Sequence, residues 1–456
     1  MADRKLPTGR VQRLARIGRT AAGAAVRQAG TRTANVVRSD ERSEAALERR
    51  QVETAKRIVE VLGGMKGAAM KIGQILSFVD FGLVPEAYRD EFQAELAKLR
   101  DSAPTVSFDR MRKVIESDLG PLGDTFSDLD PEPIAAASIG QVYRATLRDG
   151  REVAVKVQYP GVGDAVRADM QNLGVLMRLA RRMTPELDVK AVTQEIRSRI
   201  VDELDYELEA SNHRTMARIY RGHPFIVVPE VHTELCREHV LVTDLVSGDG
   251  FEALRAEPQA ERNRIGEIIF RFYYESMHRH RRFSGDPHPG NMMRLADGRV
   301  AFLDFGLFKR MDRESIELEL ACLRAVAEVD APELHRLFAG AGFIPDPDAL
   351  DPDDLMAFVL EGVWWYATAD EVLEITPDLV SRAAIETGDP RSSHFETMRH
   401  QAINVEHLIG RRLELLTLAV LGQLGAANNW HRIAREWIYD EPPVTELGRQ
   451  EAEWLE

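Results

Sequence analysis

The chain reads as an α+β protein of two lobes, the first rich in strands and the second in helices, with a helical extension ahead of both. Three observations predict this. Ala135-Ala136-Ala137-Ser138-Ile139-Gly140-Gln141-Val142-Tyr143 leads through the turn Asp149-Gly150 into Glu152-Val153-Ala154-Val155-Lys156-Val157, the pattern of a β-hairpin. Asp286-Pro-His-Pro-Gly-Asn291 is followed by Asp304-Phe305-Gly306, across a second hairpin that turns at Asp297-Gly298. Beyond Asp312 the patterning becomes helical.

In chain order, residues 1–40 form a basic arm with nine Arg or Lys against Asp3 and Asp40. The arm carries +7 in a chain of net charge −15, which leaves −22 on the remainder. An acid-poor start of this kind suits a transit peptide, a membrane-surface arm or a disordered tail. It has no apolar segment and is not a secretory signal. Residues 41–130 make the helical extension, helical from Glu41 to Leu99 and ending before the loop at residues 100–104. Within it, the stretch from Gly63 to Gln74 crowds small residues together, which allows close helix packing but leaves Lys71 and Gln74 unexplained.

The first lobe spans 131–247. After the Lys156 strand, helices are expected over about 165–183 and 189–219, the second with Val192, Ile196, Ile200, Leu204 and Leu208 as its apolar stripe. Glu203 and Glu209 would lie about 120° from eclipsed on that helix, so they serve different partners. Residues 225–231 and 239–244 read as strands. Leu245-Val246-Ser247-Gly248 reads as the hinge into the second lobe, 248–456. There, residues 312–329 form a polar helix. Ala331-Pro332-Glu333 starts another, with Asp330 as N-cap and proline just inside. Leu413 to Ala426 is interrupted by Glu414 and Gln423 and reads as a buried helix. No apolar run reaches the roughly 18 residues that span a bilayer.

The residue types point to phosphate chemistry. A carboxylate, Asp286, precedes an amide, Asn291, and a second carboxylate, Asp304, follows across the hairpin. This is the order of a kinase catalytic loop, where the first Asp accepts a hydroxyl proton while Asn and the second Asp hold Mg²⁺. Asp-Phe-Gly alone is an ordinary turn; the joint arrangement is specific. Small side chains at 135–138 let backbone N–H groups approach phosphates, and Lys156 offers their oxygens a point charge. A lone Val-Ala-Val-Lys would be a buried strand with a snorkelling Lys. Alanines stand where a glycine-rich loop is usual, so their β-carbons predict unusual nucleotide affinity or selectivity.

With these motifs the chain resembles the UbiB/ADCK/AarF family of atypical kinases, over about residues 50–437. Lys71-Ile72-Gly73-Gln74 is similar to the family's K-x-G-Q helix motif and Ala135–Ser138 to its alanine-rich loop. Glu203-Leu204-Asp205 is similar to the E-x-D motif, and Asp286–Asn291 to the D-P-H-P-G-N loop. The resemblance implies a bilobal protein-kinase-like fold whose N-terminal helical extension packs over the active-site cleft. It implies ATP and Mg²⁺ as cofactors, with Ala135, Ala136, Ala137, Ser138, Lys156, Asp244 and Val246 at the nucleotide and Asn291 and Asp304 at the metal. Asp286, Lys156 and Glu209 would be catalytic, Glu209 pairing with Lys156. Lys71, Gln74, Glu203 and Asp205 would form a lid and regulatory set facing the cleft. The implied partners are a membrane lipid or isoprenoid-quinone precursor, an anionic membrane surface and quinone-biosynthesis enzymes.

Composition narrows the setting. Cys236 and Cys322 are too few for a disulfide framework and suit a reducing compartment. Fifty Arg against nine Lys is typical of GC-rich bacterial coding, so the expectation is a bacterial cytoplasmic protein, peripheral at the inner face of the membrane. The acidic body argues against nucleic acid as a partner. Two other classes share the loop logic: a small-molecule phosphotransferase resembling aminoglycoside or choline kinases, and a nucleotide-gated lipid-binding protein without phosphoryl transfer. The Lys71/Gln74 helix and Glu203/Asp205 count against the first. Intact Lys156, Asp286, Asn291 and Asp304 count against a dead nucleotide site.

Overall fold

The computed structural model of the protein describes residues 106–137, 139–167, 194, 197, 198, 200–388, 392–402 and 405–456. The basic arm, the expected helix with Lys71 and Gln74, Ser138, and residues 168–193 of the two expected helices lie outside the described residues. Two compact units emerge. One holds the described residues up to Gly150 with Val155–Leu204 and Arg237–Val240; the other holds Arg151–Ala154, Asp205–Cys236 and Leu241–Glu456.

In the first unit, α1 (Phe108–Leu119) precedes β1 (Phe126–Ala136), which runs antiparallel to β2 (Gly140–Leu147). Ala135 faces Val142 and Ala136 faces Gln141, and the Ala137 N–H closes the loop onto the Gly140 carbonyl at 2.8 Å. Tyr143, Ala145 and Leu147 are buried at alternate positions of β2, as the two-residue strand period requires. Gly150 turns the chain at φ +88°, a conformation that resists a side chain, and leads into β3 (Glu152–Gln158). Val153, Val155 and Val157 of β3 are fully buried. The strand order of this sheet is β1-β2-β3 with Val240–Asp244 (β5) last. Buried Gln158 donates to the carbonyls of Leu204 (2.7 Å) and Glu238 (3.1 Å), so its amide is satisfied.

The second unit begins at α2 (Tyr206–Ile219). Its N-cap is Asp205, whose carboxylate accepts from the Leu208 N–H at 3.0 Å. The single helix expected over 189–219 therefore breaks at Leu204-Asp205. The cap restarts the helical phase, so Leu208 leaves the apolar stripe and is 38% exposed, while Ile200 and Leu204 are buried. β4 (Ile226–Val227) is shorter than the strand expected over 225–231. It pairs in parallel with β9 (Val300–Phe302), in a sheet of order β4-β9-β8-β6 that also contains β6 (Gly248–Gly250) and β8 (Met292–Leu295).

At the centre of this unit runs α3 (Gln259–His278), where every residue from Ile265 to His278 is buried. A helix enclosed on all sides shows no amphipathic period, which hides it from pattern reading. Gly266 permits close packing, since a β-carbon there would lie 2.4 Å from that of Ala426. Around it, counting helices longer than eight residues, stand α4 (Arg313–Ala327), α5 (Ala331–Gly340), α6 (Pro352–Ala367), α7 (Pro377–Gly388), α8 (Val405–Leu424), α9 (Trp430–Ile438) and α10 (Glu446–Leu455). Asp312 caps α4 and, as expected, Asp330 caps α5. The Phe270 ring meets Trp365, Trp430 and Trp437 edge-on at 5.4, 5.3 and 5.6 Å. Each such pair adds roughly 0.5–1.5 kcal/mol beyond burial. Among the described residues no helix is long and apolar enough to cross a membrane.

Candidate functional site

Backbone pairing turns sequence spacing into proximity. β7 (Arg282–Ser284) runs antiparallel to β10 (Phe308–Arg310), with Ser284 opposite Phe308. Gly285 extends this ladder, its N–H donating to the Leu307 carbonyl at 2.7 Å. The residues just before Asp286 and just after Gly306 are thus joined. Between them, β8 and β9 form the expected hairpin, Met292 opposite Phe302, and the Leu303 N–H donates to the Asn291 carbonyl at 2.9 Å. Gly298 makes its turn at φ +86°, while the Asp297 carboxylate accepts from the Arg299 N–H at 3.0 Å.

The side chains follow from this frame. Asn291 Nδ2 donates to the Asp286 carbonyl at 3.2 Å, and Asp304 Oδ1 accepts from the Gly306 N–H at 3.0 Å. Phe305 is fully buried beside His213, with ring centroids 4.7 Å apart. A β-carbon on Gly306 would lie 3.4 Å from Asp304 Oδ1 and 3.5 Å from Glu209 Oε2. Glu209, on the first turn of α2 and buried, therefore converges with Asp304 on this glycine. Beneath them Phe272 of α3 stacks on Phe302 at 3.7 Å. The neighbouring Tyr273 hydroxyl is pushed well above its usual range by burial and then by the charges of Asp286 and Asp304. One buried phenol thus feels both carboxylates.

One partner of this site escaped the sequence reading. Arg412 of α8 donates Nη2 to Asp286 Oδ1 at 2.6 Å and Nε to the Gly285 carbonyl at 2.8 Å. The two residues are 126 positions apart, so no local pattern links them. The trace in the sequence is the Arg411-Arg412 pair just ahead of the largely apolar stretch that begins at Leu413.

The remaining expected residues are distributed as follows. Lys156 is half-buried on β3, Ala135 and Ala136 are exposed on β1, Ala137 follows them, and Glu203 is buried; these belong to the first unit. Asp205, expected to face the cleft, is exposed and acts as the α2 cap. Asp244, expected at the nucleotide, sits 2.8 Å from His232 Nε2, and His232 Nδ1 is 3.2 Å from Arg151 Nη1. Val246 is half-buried.

Comparison with known proteins places this geometry. The family model described as the ABC1 atypical kinase-like domain matches residues 98–338. Similar curated proteins include the atypical kinase COQ8B, mitochondrial, of Rattus norvegicus, 32% identical over 72% of this chain and 62% of the relative. The atypical kinase coq-8, mitochondrial, of Caenorhabditis elegans is 29% identical over 75% of this chain and 46% of the relative. AarF domain-containing protein kinase 1 of Mus musculus is 32% identical over 60% and 53% respectively. The chain thus spans less than two thirds of the length of these relatives. Among solved structures, Rv3197 of Mycobacterium tuberculosis, described in complex with erythromycin, matches with a TM-score of 0.62 and 29% identity, covering 89% of this chain and 100% of that one. The matched region contains the Lys156 strand, the Asp286–Asn291 loop and Asp304-Phe305-Gly306, on a kinase-like α+β fold. The chain belongs to the ABC1 atypical kinase-like family, the UbiB/ADCK/AarF family that its motifs resemble.

Proposed function

We propose that the protein is a Mg²⁺-dependent atypical kinase or ATPase acting at a membrane surface, with an isoprenoid-quinone precursor or related lipid as its effector or acceptor. The observation that carries this reading is the rigid set of Asp286, Asn291 and Asp304, bound together by backbone pairing with Glu209 beside Asp304. An amide oxygen and a carboxylate are hard donors suited to Mg²⁺, so Asn291 and Asp304 would hold it. When bound, the metal neutralises the phosphate oxygens of ATP. Asp286 accepts the proton of the attacking hydroxyl or water. The Gly306 N–H holds the Asp304 carboxylate in orientation, and buried Phe305 anchors the turn from behind. Lys156 and the alanine run supply the phosphate-facing cation and the small-residue loop in this reading. Only Leu307–Met311 separates Gly306 from the Asp312 cap, which leaves no length for a peptide-docking activation segment and favours lipid or water over protein as acceptor. The quinone assignment rests on the family resemblance.

The test is nucleotide binding and phosphate release by the full chain, with Mg²⁺ or EDTA, and with or without anionic liposomes carrying a quinone-precursor mimic. Asp304→Asn and Asn291→Ala should each weaken Mg²⁺-dependent ADP binding, and liposomes should raise turnover. Binding that is equally strong in EDTA and in both variants removes the site assignment. A second reading, a nucleotide-gated binder of bulky amphipathic ligands, is favoured by the erythromycin complex of the M. tuberculosis relative. It predicts macrolide or lipid binding that changes with nucleotide while phosphate release stays at background.

A further inference from the structure

The charges on α8 divide into two groups. Arg411 pairs with Glu319 of α4 and with Glu414, each at 3.0 Å, and so ties helix to helix. Arg412, buried, turns instead to two consecutive residues of the catalytic loop: its Nε to the Gly285 carbonyl and its Nη2 to the Asp286 carboxylate. A buried guanidinium is costly unless its donors are matched, and here the planar fork grips the loop at two points. Lysine has one charged nitrogen and cannot reproduce that grip. From the opposite side, Gly285 is held to Leu307. The start of the loop is therefore clamped between β10 and α8.

We infer that Arg412 is a positioning residue, which fixes the orientation of the Asp286 carboxylate from outside the loop. The inference rests on the reading of Asp286 as the proton acceptor in nucleotide turnover. In protein kinases, phosphorylation of an activation loop orders that segment through new arginine contacts. Here the segment after Gly306 is too short to do so, and the arginine comes from a helix of the fold itself. The catalytic loop is thus held in its working geometry without a modification of this chain.

The experiment uses the full chain with Mg²⁺-ATP for steady-state phosphate release and Mg²⁺-ADP for binding. It compares the wild type with Arg412→Lys, Arg412→Gln and Arg412→Ala. Arg412→Gln should lower kcat by about 10- to 100-fold, the scale of a misplaced catalytic group, while the ADP Kd changes by less than about threefold. Arg412→Lys should fall between Gln and wild type, and methylguanidinium added to Arg412→Ala should restore part of kcat. Wild-type kcat in Arg412→Gln overturns the inference. So does a parallel loss of kcat, ADP affinity and melting temperature without guanidinium rescue, which would mark a purely structural role. A wild type that binds Mg²⁺-nucleotide but does not turn it over overturns the turnover reading and this inference together. That result is distinct from failure of the variants alone.

Discussion

Arg271 Nη1 lies 2.8 Å from Glu451 Oε2, joining the middle of the buried helix α3 to the C-terminal helix α10. The same guanidinium reaches Glu436 of α9 and Glu267, each at 2.8 Å, and Thr445 at 3.0 Å. The terminal helices are therefore fastened to the core by charge as well as by apolar contact. Removing Glu451 strips the buried Arg271 and the buried His223 of one acceptor each. Glu451→Ala should cost about 3–5 kcal/mol in denaturant unfolding. A cost below about 1 kcal/mol would mean that α10 is not part of the cooperative unit.

Beside this network, His223, Glu275 and Glu451 bring three ligand atoms within 4.8 Å of one another. A metal at His223 Nε2 is disfavoured by the tautomer: Nδ1 accepts from the N–H groups of Phe225 and Ile226, so Nε2 carries the proton that faces Glu451. The trio is better described by protons. Burial, then the Glu451 charge, pushes Glu275 well above the usual carboxylate range, against the opposing pull of Arg279, whose Nε lies 3.3 Å from its Oε1. A folded-state value above the unfolded one contributes stability that is complete below about pH 4.5 and is lost as pH rises through the folded value. The wild type should therefore lose up to about 1.4 kcal/mol per pH unit relative to Glu275→Gln as pH rises above 5. Parallel stability curves for the two proteins between pH 5 and pH 8 would contradict this.

Gly285 stands at the neck of the catalytic loop. A β-carbon there would lie 2.5 Å from Ile409 Cγ2 of α8, so Gly285→Ala must displace α8 or the loop. Overpacking of this kind costs about 1–3 kcal/mol, and the shift should reduce nucleotide turnover. Gly306→Ala is the control, since its nearest contact would be 3.4 Å from Asp304 Oδ1. Thermal melting of the two variants should show a clear loss for the first and little change for the second.

Ala136 lies at the exposed end of β1, opposite Gln141. Glycine in its place gains backbone conformations closed to alanine. Ala136→Gly should shift the ratio of ATP to ADP affinity, read by equilibrium binding with Mg²⁺. Identical affinities for both nucleotides in wild type and variant would remove the phosphate-covering role from this loop.

The catalytic-loop hairpin was legible because its pieces are local: a two-residue turn, alternating apolar residues, and polar groups at short fixed spacing. The cap Asp330 was legible for the same reason, since a cap is written within four residues. Two features nearby were misread. The apolar stripe through Leu204 and Leu208 suggested one helix, but Asp205 can either continue a helix or cap a new one, and only packing on each side selects the second. Residues 225–231 resembled a strand of the first sheet, yet Ile226 and Val227 pair with Val300 and Ala301, a choice that strand composition does not encode.

By itself the sequence determined which residues are candidates for phosphate chemistry, because Asp286, Asn291, Asp304 and Lys156 owe their identity to local motifs and their order to the backbone. The tertiary structure decided what surrounds them. Glu209 meets Asp304 at Gly306, Tyr273 lies within the field of both carboxylates, and Arg412 grips Asp286 across 126 residues. The physical reason is that a buried charge can be matched by any opposite charge that the fold delivers. The sequence reading began this helix at Leu413, one residue beyond Arg412, and which carboxylate the arginine meets is set only when α8 packs against the loop.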